Sequence, residues 1–181
     1  MDRQKLEEQL AVLPLYEYAF IDTDELQFSE RVRYICETEC PMYNTTWACP
    51  PAVGTVAACQ KRVMAFKEGL LIATITEVSD IANIRETLAT RADHEAITRQ
   101  VLEMVRRQAT DTLTLSTEAC AHCARCTWPD APCRFPDRMF PCVESHGILV
   151  TELAEKHGIE FLAEGNAVTW FSLILYKGGW C

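Results

Sequence analysis

Nowhere in this sequence is there an apolar run approaching the roughly 20 residues that a membrane-spanning helix requires. The best, Trp170 to Tyr176, has the length of a strand. The opening Met-Asp-Arg-Gln-Lys-Leu-Glu-Glu-Gln-Leu has no apolar centre, so it does not read as a secretory signal. Positive charge is scarce: 17 Lys and Arg face 26 Asp and Glu, a formal net charge of −9. That balance argues against non-specific binding to nucleic acid or to an anionic membrane. Glycine is scarce too, at 7 residues, and there is no Gly-rich phosphate loop, Ser-x-x-Lys or His-Glu-x-x-His. No carboxylate pair stands out and no catalytic set is evident. The expectation is a cytoplasmic protein without nucleic-acid or membrane partners, and a metal protein before an enzyme.

Cysteine is what the chain has in excess, with 10 in 181 residues. Cytoplasmic thiols stay reduced, so clustered cysteines there read as metal ligands before they read as disulfides. The length and the 49% hydrophobic content allow a real core, so disulfides are not needed to fold it. A single domain over residues 1–181 is expected.

Periodicity predicts helices over residues 2–13, 57–67, 81–110 and 148–157, and strands over 15–21, 70–76 and 112–117. Residues 159–164 and 167–176 flank Gly165-Asn166 and read as a hairpin. The class is α+β: a mixed or antiparallel sheet with flanking helices and two cysteine-rich metal-binding loops projecting from sheet ends.

Three cysteines of the second loop are evenly spaced, as Cys120-x2-Cys123-x2-Cys126. This is the ferredoxin-type step, in which three thiolates hold three corners of a [4Fe–4S] cube and a remote cysteine holds the fourth. The remote ligand is Cys133 or Cys142, with Cys133 preferred because Pro132 and Pro136 stiffen its loop. Arg134 could donate to cluster sulfurs, and Trp128, Phe135 and Phe140 could screen the site from water. A structural Zn2+ held by four cysteines, or by three and His122, is the alternative. His122 reads better as a solvent-facing residue, while His94 and His146 show no evident partner.

The first loop carries Cys36-x3-Cys40 and Cys49-Pro50-Pro51, with Tyr43 and Trp47 between them. Cys59, on the next helix, could complete a set of four, or could be a buried thiol packing like a small hydrophobe. Cys142 and Cys181 are left over, Cys181 reading as a free thiol.

Taken together, Cys36-x3-Cys40-x2-Tyr43-x3-Trp47-x-Cys49-Pro50-Pro51, the Cys120 to Cys133-Arg134-x-Pro136 segment and Glu144-x2-Gly147-Ile148 resemble the DUF2284 family. The resemblance runs from about residue 14 to 176. It implies cysteine-rich metal binding in a prokaryotic protein and an anaerobic setting, and it implies no reaction. Where such a family would carry a Ser-Met-Glu-Ala-like run, this chain has Pro141-Cys142-Val143-Glu144, which leaves the choice between Cys133 and Cys142 open. The leading expectation is one or two [4Fe–4S] clusters exchanging electrons with a redox protein. A zinc-braced interaction module, or a metal or cluster carrier or sensor, is the alternative.

Overall fold

A computed structural model describes residues 2–178; Cys181 lies outside the described residues. Four strands form one antiparallel sheet in the order β1-β2-β4-β3, with β1 Glu17–Asp22, β2 Glu68–Glu77, β3 Asp111–Leu115 and β4 Ala167–Lys177. The class is therefore α+β, and the sheet is antiparallel where a mixed one was also allowed.

The central strands are apolar almost throughout because both faces of the sheet are covered. Side chains of a strand alternate between faces. Leu71, Ala73, Phe171, Leu173 and Leu175 thus meet Val63, Leu153 and Ala154 of the helices α3 (Val56–Val63) and α5 (Val150–Lys156). Leu70, Ile72, Ile174 and Tyr176 turn the other way, onto Leu6 and Leu10 of α1 (Arg3–Leu10) and Val101, Leu102 and Val105 of α4 (Ile84–Arg106). Among the described residues, no helix is long and apolar enough to cross a membrane.

One expectation is corrected. Residues 159–164 form no strand, because β2 and β3 already occupy both edges of β4. Instead Phe161 stacks on Phe171 at 5.2 Å and Ile159 is buried, so these two residues cap one face of the sheet. The stretch leading into Cys36, where no element was expected, is a helix, α2 (Glu30–Thr38), capped by the Ser29 hydroxyl, which accepts from the Arg31 amide at 3.2 Å. Its apolar periodicity is hidden: Arg33 is its buried residue, while Tyr34 and Ile35 face solvent.

His94 has partners after all. Buried between α4 and the sheet, its Nδ1 lies 2.8 Å from the Thr74 hydroxyl and its Nε2 2.8 Å from that of Ser172. Burial lowers its pKa from 6.5 to about 4. The folded state thus binds fewer protons than the unfolded chain between those values, so this contribution is complete above pH 6.5 and is lost as pH falls toward 4. It amounts to about 3 kcal/mol at most. Urea unfolding at pH 7 and pH 4.5 should show a smaller stability difference in His94→Asn than in the unaltered chain; an equal difference would remove His94 from the account.

Candidate metal centres

After β3 the chain leaves the sheet and returns at Cys142, where a parallel bridge to Ser116 closes the loop. The neck is held by backbone bonds from the Ser116 amide to the Pro141 carbonyl at 2.9 Å and from the Val143 amide to the Ser116 carbonyl at 2.8 Å. Within the loop, Cys120, Cys123, Cys126 and Cys133 all line one pocket, together with His122, Arg134, Phe135, Met139 and Trp47. The pocket encloses about 20 Å³, room for about one water molecule. Arg134 donates to the Arg125 carbonyl at 2.5 Å, tying the third cysteine's neighbour to the fourth's. His122 packs edge-on to Phe135 at 4.8 Å. Phe140 lies elsewhere, in the core beneath Arg99.

The first loop lies between α2 and α3 and does not spring from a strand. It folds back on itself through the Asn44 amide, which donates to the Pro50 carbonyl at 2.7 Å, with Asn44 in the left-handed region at φ 58°. Cys36, Cys40 and Cys49 line a second pocket of about 230 Å³. The fourth thiol on that pocket is Cys142, joined by Glu118, Glu144 and Ser145. Its position follows from the neck: the Cys142 amide donates to the Ala48 carbonyl at 3.2 Å, next to Cys49.

Cys59 lines neither pocket. It is fully buried on α3, its sulfur 3.1 Å from an Arg62 nitrogen, 3.7 Å from Arg33 and 3.4 Å from the Val53 carbonyl oxygen. The thiol is taken up by the Val53 carbonyl at the base of the loop and by the two arginines, and Cys142 stands on the pocket where Cys59 was expected.

The loops that carry the two pockets touch. Trp47 of the first loop reaches into the second pocket, meets Trp128 edge-on at 4.6 Å and donates to the Ala131 carbonyl at 3.1 Å. Trp128 returns a bond to the Asn44 side-chain oxygen at 2.8 Å. Along the chain they are one peptide apart, since Ala119 lines the first set's pocket and Cys120 the second's.

Burial raises the thiol pKa values of Cys36, Cys120 and Cys142, and that of Cys49 to about 11. The Cys142 thiol donates to Glu144 at 2.8 Å, and burial raises the Glu144 pKa as well. Thiols held neutral in this way release protons when they take a metal.

A buried guanidinium backs the first set. Arg33 donates to the Gly54 carbonyl at 2.6 Å and to the Ser145 carbonyl, and its buried Nε has no hydrogen-bond partner. Its charge favours the Cys36 thiolate. Among the described residues, no group of three or more Cys, His, Asp or Glu converges tightly enough to hold a single ion, and none of the described cysteines is in a disulfide.

A family model described as a predicted metal-binding protein, DUF2284, matches residues 19–176. The chain belongs to the DUF2284 family. No curated protein and no solved structure matches it. In this DUF2284 protein the residues that sequence reasoning did not place are Cys142 in the first set, Arg33, Glu118 and Glu144. The signals for them were the Pro141-Cys142-Val143-Glu144 run and the Glu144-x2-Gly147-Ile148 segment, though Cys142 enters there only as the alternative fourth ligand of the second set.

Proposed function

We propose that this metal-binding protein is a cytoplasmic two-centre iron–sulfur protein that relays single electrons to or from a redox partner. The observation that carries the reading is the pair of four-cysteine pockets lying one peptide apart. Four thiols match the ligand count of a [4Fe–4S] cube, and such a group would supply one-electron chemistry when bound. Cys120, Cys123, Cys126 and Cys133 would hold one cluster and Cys36, Cys40, Cys49 and Cys142 the other.

The donor chemistry fits. Thiols ranged around a cavity, rather than converging on one point, suit a polynuclear cluster better than one tetrahedral Zn2+ with sulfurs about 2.3 Å away. The orphaned Arg33 Nε and the guanidinium's charge suit an anionic cluster beside Cys36. The smaller pocket lies in a loop with little regular structure, and it would have to widen from about 20 Å³ to hold a cube.

The carboxylates of Glu118 and Glu144 favour a second reading for the first pocket alone, an exchangeable metal or cluster that the protein carries or senses. Anaerobic purification followed by iron, zinc and acid-labile sulfide analysis tests both. The expected result is about eight iron and eight sulfide per chain, with visible and electron paramagnetic spectra that change on dithionite. A colourless, sulfide-free, zinc-loaded protein overturns the relay. Four irons that leave the first pocket on mild chelation favour the carrier.

A further inference from the structure

A buried polar atom normally has a hydrogen-bond partner, so one without a partner marks a place where another group belongs. Among the described residues, four buried side-chain atoms have none: Arg33 Nε, Thr46 Oγ1, Thr114 Oγ1 and Thr169 Oγ1. Thr114 and Thr169 belong to the sheet, on β3 and β4. The other two come from the segments that carry the first set of thiols. Arg33 stands on α2, three residues before Cys36, and Thr46 stands in the loop, three before Cys49.

Thr46 is 4% exposed and opens a tight turn that Cys49 closes, the Cys49 amide donating to the Thr46 carbonyl at 3.3 Å. The first and fourth residues of such a turn are neighbours in space. The Thr46 hydroxyl makes no hydrogen bond of ordinary length and angle, yet it lies near enough to the Cys49 sulfur to favour the thiolate over the thiol. In the second loop comparable donors are already engaged. The Thr127 hydroxyl donates to the Pro132 carbonyl at 2.8 Å, and Arg134 donates to that of Arg125. The Thr46 hydroxyl is thus a buried donor held in reserve beside one thiol of the first set.

We propose that Thr46 tunes the first centre: when Cys49 holds a cluster, the Thr46 hydroxyl donates to its sulfur and raises that centre's reduction potential. Hydrogen bonds to the sulfurs are one of the protein's means of setting such a potential. The sulfurs carry more negative charge in the reduced cluster, so a donor stabilises the reduced form more than the oxidised one. Uptake of one electron leaves the proton on the hydroxyl oxygen, and no bond breaks. Ionised carboxylates on the same pocket, Glu118 and Glu144, act in the opposite direction, because negative charge disfavours reduction. The proposal rests on the iron–sulfur reading of the first set.

Potentials are read on the anaerobically prepared full chain by dithionite titration followed by electron paramagnetic resonance. Cys142→Ser, which keeps only the second centre, assigns the two reduction steps. Thr46→Val keeps the side chain's shape and removes the donor. It should make reduction of the first centre about tenfold less favourable, about 59 mV lower for one electron, with iron content and the second centre's potential unchanged. Thr46→Ser should restore most of the difference. Loss of the first cluster from Thr46→Val but not from Thr46→Ser also counts for the proposal. Loss from both variants, a change under about twofold, an equal change at both centres, or a change that Thr46→Ser shares in full overturns it. Iron-free unaltered protein would sink the iron–sulfur reading and this one with it, whereas full iron with an unmoved potential would sink only this one.

Discussion

Cys142→Ser should remove one cluster and leave the other: iron falls from about eight to about four per chain, while the spectrum of the Cys120 set persists. The exchange keeps the backbone bonds that place residue 142, from its amide to Ala48 and across the bridge to Ser116, so the neck survives. What is lost is one sulfur on a pocket whose other thiols are Cys36, Cys40 and Cys49. Cys133→Ser should produce the mirror result, sparing the first set. Cys59→Ser should leave both, since that sulfur faces Arg62, Arg33 and the Val53 carbonyl. Iron counting on the three variants checks all of this. Retention of full iron in Cys142→Ser together with loss in Cys59→Ser would reverse the assignment.

Arg33→Met should destabilise the metal-free chain by about 3 kcal/mol or more, and also lower iron in the first centre. The guanidinium joins three segments that share no sheet: α2 through its own backbone, the turn at Gly54, and the stretch carrying Cys142 and Glu144 through Ser145. Removing it strands two carbonyl oxygens with little access to water and lets Cys36 and Cys142 drift apart. Arg33→Lys should recover only part of the loss, because one ammonium cannot reproduce a planar fork with two separate acceptors. Denaturant unfolding of the metal-free forms is the measurement. A cost below about 1 kcal/mol would show that the clamp does not hold the first pocket together.

These two residues also show where sequence reasoning stops. The even Cys120, Cys123, Cys126 step is a local pattern, and a local loop places those thiols on one pocket with Cys133. The strand at Leu70 to Thr76 and the long helix ending at Arg106 were legible for the same reason, since the periodicity of each lies within its own residues. Cys142 was not, because its proximity to Cys49 exists only through a backbone bridge between distant segments. Arg33 was hidden because a buried arginine in a short helix whose apolar residues face outward reads as a surface charge. The strand expected at 159–164 failed for a topological reason: an apolar segment beside a tight turn pairs only if its neighbour has a free edge, and β4 has none.

The single peptide between Ala119 and Cys120 has one more implication. Consecutive α-carbons are held about 3.8 Å apart whatever the surrounding loops do. Breathing of either loop therefore cannot part the backbone where the two pockets adjoin, so movement of one pocket's wall at Ala119 is passed directly to Cys120 of the other.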